Sequence, residues 1–415
     1  MPALLAGSTS SAIKSRNLQA VLLALLRHDS LSRVRLSRLT GLSTTTITKL
    51  VARLLEQGLV VEDDRDVTSN GHRGVGRPQT ALRLVPESRW VIGLHLDVDH
   101  VRLALADLRA RPIFTRKLAL EPGAPAGASL AAMAAAARAL VAESGVDPAR
   151  VIGLGAGVSG LVDPASGVNR FAPNLGWHDV PVAALLEQHT GLPTVVDNNV
   201  RAMALGEVMF GPARDVNALA FVYARIGVGA GFTVGGQIYR GSGAGAGEIG
   251  HMTLVVDGGE VCRCGNTGCL ETIFSEPALV RLAAEEAARC PAGRLAQLLS
   301  EPDTRPIEQV FAAARQGDRA ARSLLEDRAR YVGVALANLV NIFNPERIVL
   351  GGLFLQGADL LLPPIEHTIR ARAFAHLGER VVVQTASFGG QAGMVGAAAL
   401  ALDAFFYRQE LKAQS

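Results

Sequence analysis

The chain has 415 residues, 49% hydrophobic and 19% charged, which fits two or three globular domains with large cores. No run of ~18 uncharged apolar residues occurs, and the first residues lack a basic segment before an apolar one, so neither a membrane span nor a signal peptide is expected, and a cytoplasmic protein is. The net charge of +3 hides an asymmetry: residues 1–83 carry twelve Lys/Arg against six Asp/Glu, so the rest is mildly acidic. A basic front end on an acidic body suggests a nucleic-acid module joined to something else.

Helical patterns come first. Ile13 to His28 is apolar at Leu18, Val21, Leu22, Leu25 and Leu26. A short helix over about Ser32–Thr40 ends at Gly41, where a left-handed residue costs least, and Ser43 offers an N-cap for the next helix. In that helix Ile47, Leu50, Val51, Leu54 and Leu55 make a buried stripe. Its other face shows Thr44, Thr45, Thr48, Lys49, Ala52 and Arg53, hydroxyls and cations suited to a major groove. A hairpin follows, with a turn at Asn70-Gly71 and a return strand over 79–85. It reads as a wing carrying Arg73 and Arg77, the latter placed for a minor groove. Residues 1–85 are therefore predicted to be a winged helix-turn-helix DNA-binding domain. The bland alternative is a three-helix domain with a solvated basic face.

Pro86 and Glu87 read as a hinge. Beyond it, residues 90–108 read as a hairpin, 126–145 as an Ala-rich helix, and 151–163 as a Gly-rich strand and loop. Residues 193–211 form a strand entering a helix, 218–241 another hairpin, 276–342 long helices, and 344–353 a strand with a Gly-Gly end. This alternation, with hairpin strands opening each half, predicts an α/β body of two lobes around a cleft.

The stretches APNLGW (172–177), DNNVRAMALGE (197–207), GVGAGFTVGGQIYRG (227–241), GEIGHM (247–252), CRCGNTGCLE (262–271) and NPERIVLGG (344–352) resemble the ROK family of repressors and sugar kinases. The resemblance implies an actin-like or hexokinase-like two-lobe fold. The lobes are expected at 88–205, completed by 386–415, and at 206–385. The front end resembles the winged helix of ROK repressors.

Three of the four cysteines fall within eight residues, as CxC-x4-C. Three thiolates need a fourth ligand for a closed tetrahedral zinc site, and His251, eleven residues upstream, is the candidate. The resemblance implies the same set: His251, Cys262, Cys264 and Cys269, holding one structural zinc per chain. A disulfide or idle thiols are the alternatives, and Cys290 reads as a buried small residue. By resemblance, Asn198, Asn199, Glu248, His251 and Glu271 bind sugar hydroxyls, with Asn174 a further candidate, so the zinc braces a sugar pocket.

The sequence departs from the ROK kinases in three places. His95 replaces an Asp, and Asp97-Val98-Asp99 replace the Gly-Gly-Thr of the first phosphate loop. Asn199 stands where the catalytic Asp is expected, and an amide cannot serve as a base. Arg225-Ile226 precede Gly227 where kinases have Gly-Thr. The expectation is a sugar-responsive, non-enzymatic DNA-binding regulator, most simply a repressor, working as a homodimer or tetramer on operator DNA. The competing expectations are a bifunctional sugar kinase and a repressor controlled by a protein partner.

Overall fold

Capping and amphipathic spacing define the front end. The computed structural model describes residues 10–63, 80–121, 123–243, 245–301 and 304–408. Helices α1 (Ser10–Arg27), α2 (Arg33–Thr40) and α3 (Thr44–Glu56) pack against strands β1 (Leu31–Ser32), β2 (Val60–Asp63) and β3 (Ala81–Leu84). Ser32 caps α2, and Gly41 ends it at φ 70°. Ser43 Oγ caps α3 by accepting from the Thr46 N–H at 3.2 Å. Ile47, Val51 and Leu54 are buried as the stripe predicts, while Leu50 and Leu55 are half-buried. The sheet order is β1-β3-β2, with Val60 opposite Leu84 and Asp63 opposite Ala81. The expected turn at Asn70-Gly71, with Arg73 and Arg77, lies outside the described residues.

The body contains two five-stranded sheets of the same plan. The first half supplies β4 (Trp90–Leu96), β5 (His100–Asp107), β6 (Pro112–Ala119), α4 (Ala126–Ser144), β7 (Val151–Val158), β8 (Leu161–Asp163), β9 (Val168–Ala172), β10 (Trp177–Val180), α5 (Val182–Thr190), β11 (Thr194–Asn198) and α6 (Asn199–Phe210). The second half supplies β12 (Ala218–Ala224), β13 (Val228–Val234), β14 (Gln237–Tyr239), α7 (Leu270–Ile273), α8 (Glu276–Arg289), α9 (Arg294–Leu299), α10 (Pro306–Arg315), α11 (Arg319–Phe343), β15 (Arg347–Gly352), α12 (Leu353–Gln356), α13 (Ala358–Arg372), α14 (Leu377–Arg380), β16 (Val382–Thr385) and α15 (Ala392–Leu402). The strand orders are β6-β5-β4-β7-β11 and β14-β13-β12-β15-β16. In each, the hairpin strands are antiparallel and the last two pairings parallel. α4 is the described helix long and apolar enough to cross a membrane, but Leu130, Met133, Ala134, Ala137 and Leu140 bury its inner face in the first-sheet core.

Helices α6 and α15 lie against each other at the centre, and every residue of α15 is buried. Small residues make this approach possible: a Cβ on Gly396 would sit 2.6 Å from the Ala202 carbonyl oxygen, and one on Gly206 3.2 Å from Gly396 Cα. A buried ion pair braces the junction. Asp197, at the end of β11, takes Arg201 of α6 at 2.7 Å and Arg240, just past β14, at 2.8 Å. Removing one partner from such a group typically costs ~3–5 kcal/mol.

The expected hinge at Pro86-Glu87 lies in an ordered turn with contacts on both sides. Pro86–Ser88 form a 3-10 turn whose carbonyls accept from Leu108 N–H at 3.0 Å and from the Arg150 side chain. The front-end core is continuous with that of the body: Leu22, Leu25 and Leu26 belong to one cluster with Val91, Leu108, Phe406 and Tyr407. Sequence spacing around a proline does not reveal this, because the apolar partners lie some three hundred residues away.

Candidate functional site

Between the two sheets lies a cavity of about 310 Å³. All six candidate sugar residues, Asn174, Asn198, Asn199, Glu248, His251 and Glu271, line it. Their availability differs. Asn198 is the N-cap of α6: its Oδ1 accepts from Val200 and Arg201 N–H, and its Nδ2 donates to Gly160 O at 3.0 Å. Asn199 is buried, with Nδ2 3.2 Å from Ser159 Oγ. Glu271 Oε2 accepts from Val228 N–H at 2.9 Å. Gly227 makes room for this, since a Cβ there would lie 2.8 Å from the same oxygen. Glu248 is open to water through the cleft mouth yet ringed by protein atoms. Desolvation therefore raises its pKa, against the pull of His251 and Arg201 and with help from Glu271. Asn174 Oδ1 accepts from Arg263 Nη1 at 2.7 Å, which joins the loop before β10 to the cysteine loop across the mouth.

The cysteine loop forms one wall. His251, Cys262, Cys264 and Cys269 place one ligand atom each within 4.8 Å of one another. Cys262 Sγ lies 3.7 Å from His251 Nδ1, and the Cys264 and Cys269 sulfurs are 3.8 Å apart. All three cysteines are free, and the second distance far exceeds the ~2.05 Å of a disulfide. Both match the edges of a tetrahedron with ligands at ~2.0–2.3 Å, so the donor set fits zinc. Burial pushes the Cys269 thiol up to about 12 and raises that of Cys262, whereas a hydrogen bond from the Asn266 backbone lowers that of Cys264. His251 turns Nδ1 toward Cys262 and also lines the cavity. Cys290, expected to be buried, is exposed at the end of α8.

Arg225 closes the floor of the cavity. It meets Asp97 at 2.5 Å and both oxygens of Asp99 at 3.1 Å, with Glu276 at 3.9 Å. The two acids stand in the β4–β5 turn of the first sheet and Arg225 follows β12 of the second, so this cluster ties the lobes together. Burial opposes the ionised form of Asp99, but hydrogen bonds from Arg225 and His100 win and hold it well below the carboxylate range. The sequence reading treats Asp97 and Asp99 as a repulsive defect. The structure instead pairs that defect with the Arg225 change in the other loop. Complementary charge at two altered loops is the signal that could have revealed the contact.

On the front end, Thr44, Thr45, Thr48, Lys49 and Arg53 are all exposed on α3. Thr48 Oγ1 donates to the Thr44 carbonyl at 2.9 Å, while Lys49 and Arg53 form a cationic edge one turn apart.

Residues 91–404 match the model of the ROK family and residues 20–66 that of the MarR family. The xylose repressor of Caldicellulosiruptor bescii is 30% identical over 94% of this chain and 96% of its own. A crystal structure of a ROK family transcriptional regulator, a homologue of the Escherichia coli Mlc protein, superposes with a TM-score of 0.81 at 29% identity, covering 96% of this chain and 98% of its own. A ROK family glucokinase from Streptomyces griseus, in complex with glucose and AMPPNP, superposes at 0.68 with 33% identity, covering 76% of this chain and all of its own. The kinase thus matches a portion of the chain, whereas the two regulators match almost its whole length. With its front end of the MarR winged-helix type, this chain belongs to the ROK family.

Proposed function

We propose that this protein is a sugar-responsive transcriptional repressor without kinase activity. The observation that carries the reading is the end-to-end match, winged helix and body together, to a xylose repressor. The cavity supports the sugar half: two carboxylates, a histidine and three amides converge there, groups that pair with vicinal hydroxyls. The exposed hydroxyl and cationic face of α3 supports the DNA half, with Arg73 and Arg77 of the wing assigned to minor-groove contacts. Zinc held by His251, Cys262, Cys264 and Cys269 supplies a rigid wall for the sugar site and no chemistry of its own, since four protein ligands leave no open position. The working unit is a homodimer or a pair of dimers, whose symmetry an inverted-repeat operator would mirror. DNA and sugar meet it in the cytoplasm.

Two features argue against phosphoryl transfer. Asn199 cannot take a proton from a sugar hydroxyl. Asp97 and Asp99, locked to Arg225, put carboxylates where a nucleotide would bring phosphates. Calorimetric titration of a sugar panel, with and without ATP and magnesium, tests the reading. Saturable sugar binding with no phosphorylated product supports it. Catalytic turnover of ATP to a sugar phosphate would replace it with the bifunctional-kinase reading.

A further inference from the structure

The sugar cavity has walls of unlike chemistry. The second half of the body supplies Glu248, His251 and Glu271. The first half supplies, besides its amides, an apolar run: Leu161 from β8, and Phe171, Ala172 and Pro173 from the end of β9 and just beyond it. Hydroxyl recognition gives this run no role.

Within it, Ala172 is buried in the first-sheet core, but Phe171 is 47% exposed where it lines the cavity. The ring is nonetheless held. Leu161 and His178 are its partners on the two neighbouring strands, and the His178 ring meets it edge to face with centroids 6.2 Å apart. The backbone is held as well. Gly160 O accepts from Asn198 Nδ2 at 3.0 Å, and a Cβ on Gly160, whose φ is 100°, would lie 2.4 Å from the Phe171 carbonyl oxygen. Only glycine fits there, so Phe171 and Asn198 keep a fixed relation. Asn174 follows three residues later on the same segment. An aromatic face is thus fixed among the groups that pair with hydroxyls.

A pyranose has two kinds of surface. Equatorial hydroxyls make a polar rim. Axial C–H bonds, polarised by the oxygens on their carbons, make an apolar and weakly positive face. The π face of Phe is apolar and carries negative partial charge, so it attracts such a face. An axial hydroxyl turned onto the ring would instead lose water without gaining a partner. We infer that Phe171 is a specificity-determining residue of the cavity: it stacks on one face of the sugar and selects a pyranose whose hydroxyls are equatorial, as in glucose and xylose, with the hydroxyl rim turned to Glu248, His251 and Glu271. The inference rests on the sugar-repressor reading and adds the class of sugar to it.

The test is calorimetric titration of the full chain with glucose, xylose, mannose, galactose and allose. Mannose and galactose carry an axial hydroxyl on one face of the ring and allose on the other, so the panel probes both faces. The tighter of glucose and xylose should bind at least tenfold better than mannose and galactose, or than allose, according to the face that stacks. Phe171→Ala should weaken that binding tenfold or more and shrink the preference with it, whereas Phe171→Tyr, which keeps the ring, should stay close to the unaltered protein. Phe171→Leu, apolar but without a ring, should show the same loss as alanine and carries the test should Phe171→Ala misfold. Equal affinity for every sugar that binds, or a preference that survives removal of the ring, would overturn the inference. So would a loss in Phe171→Tyr as large as in Phe171→Ala. Binding of none of the sugars would sink the sugar-repressor reading itself, and this inference with it.

Discussion

Glu271 and Glu248 differ in how they are held, and that difference predicts how each responds to mutation. Glu271 is fixed by the Val228 N–H, whereas Glu248 is held by its surroundings alone. A hydrogen bond to a charged group contributes ~1.5–3 kcal/mol. Glu271→Gln is therefore expected to weaken sugar binding by ~10–100-fold in calorimetry, at ~1.4 kcal/mol per decade, with little change in melting temperature. His95 gives a pH signature. Burial lowers its pKa from 6.5 to about 4, against the pull of Asp97 and with help from Arg102, His100 and Arg225. The folded state thus binds fewer protons than the unfolded chain between those values. Stability from this group is full above about pH 6.5 and is lost as pH falls toward 4, by up to about 3 kcal/mol. His95→Gln should flatten that part of the stability profile in denaturant titrations, and an unchanged pH slope would contradict the assignment. The cavity residues were legible in the sequence because their motifs are specific. The Arg225 cluster and the Arg263–Asn174 contact were not, because each joins segments some ninety or more residues apart, at sites where charge had to be read in pairs.

At the scale of elements, the local rules held where local chemistry decides. Gly41 and Ser43 punctuate α2 and α3 as read from the sequence, since a cap is an interaction within four residues. The contacts that Leu108 and Arg150 make to residues 86–88 were not legible, because no local pattern announces them. Two element-level predictions follow from exposure and from the cysteine loop. Lys49→Ala on α3 should weaken operator binding across sequences and reduce the slope of log K against log salt by about one, as loss of one phosphate contact does. An unchanged slope would remove Lys49 from the interface. Cys269→Ser should lower the melting temperature and the sugar affinity together, because the loop that carries three of the ligands also leads into Glu271. At ~2–4 °C per kcal/mol for a domain of this size, a loss of several degrees is expected in calorimetry. A shift in sugar affinity without any loss of stability would argue against a structural metal.

For the whole molecule, the repeated sheet plan explains how a small ligand can reach the DNA-binding face. The cavity lies between two halves of equal topology, and α6 and α15 pack where they meet. α6 begins at Asn199 in the cavity wall. α15 continues into the π-helical turn Asp403–Tyr407, which packs on α1, and Tyr407 Oη donates to Leu108 O at 2.6 Å. Asp29 and Arg109 add an ion pair at 3.1 Å across the same junction. A ligand that changes the angle between the halves would be felt by α1 through this packed joint. This requires that the ligand bind the two states with different affinity. The duplicated α/β plan was legible from the order of hairpins and helices. The packed joint was not, since it rests on packing between the first thirty and last fifteen described residues.

The measurement that tests this account most directly is fluorescence anisotropy of a labelled duplex from the protein's own upstream region, titrated with the protein in the presence of a sugar panel. The account predicts salt-sensitive binding and one sugar that shifts the affinity tenfold or more, with the shift abolished by Glu271→Gln. DNA affinity that no sugar alters, in a protein that still binds a sugar, would contradict it.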